Sequence, residues 1–529
     1  MKKAFAYLVI ALLALTIWSC TREDDTLGDS GIYAPVGGTI EINESAHASG
    51  TAEGMTETGH DEEDLPENST FSKTVTITFG ETVQVENAYA DAGVAVTVSG
   101  QDVEVNATLE EVEYVLTGTS TDGGFKIYSD NKFKLALTDL SLTNSDGPAI
   151  NNQSDERAFI VLTGTNQLTD GTTYAETLDE DQKGTLFSEG RLIFSGEGTL
   201  TVQGNNNHAV ASDDYIRVLS GTIAVTGAVS DGIHCNDHFI ADGGTFDIKA
   251  GNDGIETEGG PIIINRGDFT FEVVDNGIST SYEDEDPSDD EAPVDDETPV
   301  DDNDQSIDPY VIINGGTFAI NSSEGKGIVS ASTLTVNDAN MIVNSTDDCI
   351  SSADAFYING GLLYCVSTSN DAMESGGTFT ITGGTVIAIG SEQENGITSN
   401  GNELKITGGL VFGSGNATSA PSESSSIYSL IADGSEADQI IHIEDASGKE
   451  VFTFMNPKSS GTLLFASAKL KDNTTYNIYV GGAVTNDTNV HGLYTKGKYS
   501  RGTVVAQFST TNKVTQIGGQ ITGNQELLR

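Results

Sequence analysis

Asp231-Gly232-Ile233-His234-Cys235-Asn236-Asp237-His238-Phe239-Ile240-Ala241-Asp242-Gly243-Gly244-Thr245 decides the fold, because the chain repeats it. Asp253-Gly254-Ile255 and Asn276-Gly277-Ile278 follow at steps of 22 and 23 residues (231 to 253, 253 to 276). Further along come Gly325-Lys326-Gly327-Ile328, Asp348-Cys349-Ile350, Asp371-Ala372-Met373 and Asn395-Gly396-Ile397. The second half returns as Gly315-Gly316-Thr317, Gly360-Gly361-Leu362, Gly383-Gly384-Thr385 and Gly408-Gly409-Leu410. A fixed period of this length marks a solenoid, which stacks equivalent residues into columns. The short β-branched runs between Gly and Asn turns make each repeat a coil of strands, so the fold class is all-β, a parallel β-helix. With coils about 4.8 Å apart, about a dozen would build a rod of about 55–60 Å.

Working outward, the solenoid is expected over residues 136–417, its first coils less regular. An N-terminal β cap over 70–135 would blunt the open sheet edge. A small β-sandwich-like domain is expected over 418–509, followed by a tail, 510–529. One coil is interrupted by an acidic insert, 283–308, which opens on Glu283-Asp284-Glu285-Asp286-Pro287 and cannot bury a core. Residues 20–69 are poor in large apolar side chains and read as a flexible tether. Residues 1–19 read as a signal peptide, with Lys2 and Lys3 before an apolar run too short to span a bilayer. The close, Ile17-Trp18-Ser19-Cys20, resembles a lipoprotein box with Cys20 as the lipidated residue. Glu23-Asp24-Asp25 resembles the acidic tether of surface-exposed lipoproteins. An outer-membrane lipoprotein displayed at the cell surface is the expected location.

Eighty acidic residues against 24 basic ones give a formal charge of −56. Nucleic acid is excluded as a partner, and a membrane is met only through the lipid anchor. The single Trp, Trp18, lies in the signal, so no stacked indoles line a sugar face. Cys235, Cys349 and Cys365 lack paired spacing and are expected as small interior residues.

The repeated triplet has a plain structural explanation: Asp and Asn tolerate the turn, Gly supplies positive φ, and Ile returns inward. Asn columns can also form amide ladders. Stacking nevertheless sets carboxylates roughly 5 Å apart, where two charges repel by about 3 kcal/mol at an effective dielectric near 20. Either some are protonated, the loops splay into water, or cations bridge them. Ca²⁺ suits an irregular cage of oxygens. The candidate ligands are Asp231, Asn252, Asp253, Glu256, Asp275, Asn276, Asp347, Asp348, Asn370, Asp371 and Glu374. Zinc is less favoured, since His234 stands nearly alone and Cys235 points to the other side of its strand.

Asn144-Ser145-Asp146-Gly147-Pro148-Ala149-Ile150, Leu162-Thr163-Gly164-Thr165-Asn166-Gln167-Leu168 and Asp231-Gly232-Ile233-His234, with the Gly-Gly-Thr turns, resemble a family of bacterial carbohydrate-binding surface proteins that includes cellulose- and pectin-binding members. The resemblance covers about residues 95–510. It implies a right-handed, pectate-lyase-like β-helix with bound Ca²⁺ and a polysaccharide partner, acidic or cellulosic. The copies at Gly325 and Asp371-Ala372 depart from the pattern, which puts metal at those coils in doubt. A Ca²⁺-dependent uronate lyase would need a base beside the cation. Arg191, Arg217, Lys249, Arg266 and Lys326 are available, and none sits in a motif that singles it out. The reading is therefore a binder without catalysis, with a lyase and a structural adhesin as alternatives.

Overall fold

A computed structural model describes residues 39–43, 49–175, 177, 180–282 and 308–522. The signal peptide, Cys20, the first part of the tether and all of the acidic insert but residue 308 lie outside the described residues.

The repeat folds as expected, into an all-β parallel solenoid of about twelve coils. A representative coil contributes Ile233–Cys235, Phe239–Ala241 and Thr245–Ala250 to three successive sheets. In the first sheet Val103, Phe125, Ile150, Leu186, Val210, Ile233, Ile255, Ile278, Ile328, Ile350, Met373 and Ile397 pair in unbroken register. Every one of these side chains is buried, as period-two alternation demands when one face meets the core. In the third sheet Phe246, Phe269 and Phe318 stack with centroids 4.6 and 4.7 Å apart, so the strand spacing itself sets the aromatic spacing. Cys235, Cys349 and Cys365 are free and buried, as small interior residues should be. Ile278 pairs directly with Ile328, so the acidic insert leaves and rejoins the rod without shifting its register.

Both ends are closed by antiparallel strands. Lys73–Phe79 already pairs in parallel with Val112–Ser120, so coiling starts inside the stretch expected as a cap. The capping strands proper are Gln84–Glu86 and Val94–Ser99, each antiparallel to its neighbour. At the other end Thr462–Ser467 runs antiparallel along Leu410–Gly415. A seven-stranded sheet then packs over the last coils, burying Ile443, Phe452 and Phe454 against Ile387, Ile389 and Phe412. The C-terminal sandwich therefore borrows its second layer from the solenoid. Val514–Gln516, in the expected tail, adds a parallel strand to Tyr428–Asp433.

The described part of the expected tether is an ordered strap. Thr39–Asn43 pairs with the C-terminal sheet, and residues 49–69 then run back along the outside of the second sheet. The second sheet carries a column of asparagines, one after each of four successive strands. Asn314 Nδ2 donates to Asn265 Oδ1 (2.9 Å), Asn337 to Asn314 (2.8 Å) and Asn359 to Asn337 (2.8 Å). The other N–H of each amide reaches the strap. Asn265, Asn314, Asn337 and Asn359 donate to the carbonyls of Thr58, Glu57, Met55 and Glu53 at 2.7–2.9 Å. Gly54 (φ +87°) and Gly59 (φ +60°) press so close to Tyr357 and Ile240 that a Cβ would collide. Further along, buried Asp64 meets Arg157 Nε at 2.8 Å, Arg217 Nη1 at 3.0 Å and Tyr215 Oη at 2.6 Å. The strap thus roofs the second sheet. On the third sheet Thr245, Asp247, Lys249, Thr270, Glu272, Asn321 and Asn344 remain exposed.

Candidate functional site: a buried column of carboxylates

The Asp of each triplet stands where the chain turns into the first sheet, and the register stacks these residues in one file. The order is His208, Asp231, Asp253, Asn276, Lys326, Asp348, Asp371, Asn395, set by the pairing of Val210, Ile233, Ile255, Ile278, Ile328, Ile350, Met373 and Ile397 two residues on. Carboxylates never run more than two in succession. Each also accepts the backbone N–H of the next coil. Asp231 Oδ1 takes Asp253 N (2.9 Å), Asp253 Oδ1 takes Asn276 N (2.7 Å), Asp348 Oδ1 takes Asp371 N (3.1 Å), and Asp371 Oδ1 takes Asn395 N (2.5 Å). The column is thus a structural ladder first. Amide donors near the charged form lower its cost, while burial raises it.

The remaining charge is met in two ways. Lys326, which the sequence offered only as a weakened copy, occupies a rung and places Nζ 2.8 Å from Asp348 Oδ2. At the head of the column His208 Nδ1 lies 2.8 Å from Asp231 Oδ2, and His234 Nδ1 lies 3.5 Å from the same oxygen. Burial alone would raise the Asp231 pKa, but the two imidazoles outweigh it and hold the carboxyl well below its ordinary range. Burial would likewise neutralise His234; Asp231 and Glu256 push it up to about 10 instead. Asp253 has no such cation. Its burial beside Glu256 and Asp231 raises it to about 8, despite the N–H of Asn276. Burial also raises Asp348, even with Lys326 opposing it, and Asp371.

Of the eleven candidate ligands, the structure gathers Asp231, Asp253 and Glu256, each offering a ligand atom within 4.8 Å of the others. Asn252 adjoins them, but its Nδ2 faces Asp231 Oδ1 at 2.8 Å. The others are not drawn into a comparable group. Asn276 donates to Asp253, Asn370 Nδ2 donates to Asp347 (2.5 Å), and Glu374 accepts from Asn400 (2.8 Å). Asp275 is half-buried, with its pKa raised by burial and by neighbouring acids. Around Asp348 the ammonium of Lys326 takes the place where a cation would sit. Sequence reasoning missed His208, whose triplet reads His-Ala-Val; counting back 23 residues from Asp231 would have found it. Three of the basic residues weighed for a lyase are engaged elsewhere. Arg217 lies between Asp64 and Asp242 (3.0 and 2.7 Å), Arg191 meets Asp214 (3.1 Å), and Lys249 meets Glu272 (2.6 Å). Arg266 is exposed.

The family model described as carbohydrate-binding domain-containing protein matches residues 99–372 and again 311–449. Among solved structures, a polysaccharide lyase-like protein from C. thermocellum, determined as a gadolinium derivative, is similar at 19% identity. It covers 56% of this chain and 95% of its own, with a TM-score of 0.37. No curated protein matches the chain.

Proposed function

The chain belongs to the family of carbohydrate-binding domain-containing proteins, and from that premise we propose that it is a surface lipoprotein holding polysaccharide without catalysis. The glycan is acidic or cellulosic, and Ca²⁺ sits at Asp231, Asp253 and Glu256. The observation that carries this reading is the convergence of those three carboxylates on a chain of charge −56. Carboxylate oxygens suit Ca²⁺, and a cation is what lets so acidic a chain approach a uronate polymer. The third sheet supplies the glycan platform in this reading. Its exposed hydroxyl and amide side chains repeat at strand spacing, and the strap leaves its earlier coils uncovered.

Retention of the mature protein on polygalacturonate and on cellulose, with and without EDTA, tests the reading. Metal-dependent retention with no rise in absorbance from unsaturated product is expected. Accumulating product would make the protein a lyase. Absence of retention on any glycan would leave a spacer or adhesin.

A further inference from the structure

Two imidazoles stand at the head of the column, where calcium has no use for them. Ca²⁺ takes oxygen ligands, whereas imidazole nitrogen belongs to borderline cations such as Zn²⁺. His208 and His234 lie on successive coils with their rings stacked, 4.2 Å between centroids and 17° from parallel. Both Nδ1 atoms approach Asp231 Oδ2, at 2.8 and 3.5 Å, and His234 Nδ1 also lies 3.4 Å from Glu256 Oε2. His208 Nδ1 further faces the backbone N–H of Asp231 at 3.4 Å. His234 is only 6% exposed, and its Nδ1 is buried without a hydrogen-bond partner. The nitrogen thus stands at ion-pair range of two carboxylates without a hydrogen bond to either, which leaves it open to a stronger ligand.

The ligand atoms of His208, Asp231 and His234 all lie within 4.8 Å of one another. Zinc bonds of about 2.0–2.1 Å at tetrahedral angles set ligand atoms about 3.3 Å apart. The 3.5 Å separation of His234 from Asp231 is near that value, the 2.8 Å contact of His208 would have to open, and the stacked rings would have to turn so that both Nδ1 lone pairs converge. We propose that His208, Asp231 and His234 form a site for a borderline divalent cation of the Zn²⁺ type. Such an ion would tie two successive coils together. The two oxygens of Asp231 divide the cluster. Oδ2 faces the imidazoles, while Oδ1 accepts Asn252 Nδ2 and Asp253 N. The proposal shares Asp231 with the calcium reading and is told from it by the two imidazoles, which calcium does not take.

Cobalt(II) titration of the chelator-stripped, full mature protein tests it. Stoichiometric binding with the strong visible absorption of a tetrahedral site is expected, reversed by Zn²⁺ and not by millimolar Ca²⁺. X-ray absorption of the zinc-loaded wild type should show scattering from two imidazoles, a readout independent of how any variant folds. Loss of an outer partner costs a metal site about 10–100-fold, so His208→Ala or His234→Ala should weaken cobalt by at least about 100-fold. Absence of the visible band, displacement by Ca²⁺ or an oxygen-only ligand shell would overturn the proposal. His234 would then be an imidazolium held between two carboxylates.

Discussion

Replacing Asp64 with Ala should release the strap while leaving the rod intact. Asp64 is shared by two buried guanidiniums, since the side chains of Arg157 and Arg217 are 7% and 3% exposed. Breaking a buried pair by removing one partner costs about 3–5 kcal/mol, because charge is left buried and uncompensated. Here the cost falls at the lower end. Arg217 keeps Asp242 and the carbonyl of Gly59, and Arg157 keeps Tyr215 together with Asp61 and Glu63. Those last two carboxylates are exposed, and such surface pairs contribute at most about 1 kcal/mol each. A loss of about 3 kcal/mol corresponds to on the order of 100-fold more frequent opening of the strap, at about 1.4 kcal/mol per tenfold. Hydrogen exchange should report it at the amides the strap protects. Gly50 donates to Thr382, Glu53 to Asn359 Oδ1, and Met55 to Thr335 Oγ1. Core-strand amides should exchange as in the wild type. Unchanged exchange over residues 50–69, or loss of protection across the solenoid strands instead, would refute the clasp.

Asn337→Ala removes two donors and an acceptor from the amide ladder, so melting should show a loss of about 2–4 kcal/mol, at about 1 kcal/mol per hydrogen bond plus the partners left unpaired. Lys326→Ala strands the buried carboxylate of Asp348; in EDTA it should destabilise by about 3–5 kcal/mol, and added Ca²⁺ should restore part of that loss. Asp253 has a folded pKa of about 8 against an ordinary value of 3.8, so the folded state binds a proton that the unfolded state lacks between those limits. Its stabilisation is complete below about pH 4 and is lost as pH rises through 8. Melting in EDTA should therefore fall from pH 5 to 8, and Asp253→Asn should flatten the fall. Asn321→Ala with Asn344→Ala, on the exposed third sheet, should weaken retention on the glycan that binds while leaving melting within about 0.5 kcal/mol of the wild type.

The coils were legible because the requirement that fixes them is local and repeated. Turn, inward Ile and Gly-Gly-Thr all recur, and the pairing of Ile233, Ile255 and Ile278 follows from their period. The column was legible as a file of acids but not as a ladder. Its satisfaction lies in backbone N–H groups of the next coil, which carry no letter in the sequence. His208 breaks the triplet's spelling while keeping its place, and Lys326, legible as a weakened copy, shows only in the fold that it neutralises a neighbour. The strap was hidden for a different reason. It is held through its own backbone amides and carbonyls and a few acidic side chains, so no apolar period announces it. A trace was present all the same. An amide ladder uses one N–H of each Asn, and the column at Asn265, Asn314, Asn337 and Asn359 therefore had a second donor to satisfy. The sandwich-like domain escaped a clean boundary because half of it is solenoid.

The direction of the strap decides at which end the chain enters the rod. It runs against the advance of the coils, so Thr39 emerges beside the C-terminal sheet rather than at the first coil. With Cys20 as the proposed anchor, 19 residues separate lipid from rod (39 − 20), a leash of at most about 65 Å. An anchor at Cys20 would then lead into the rod at its carboxyl end, the end farthest along the coils from the cap at Val94–Ser99.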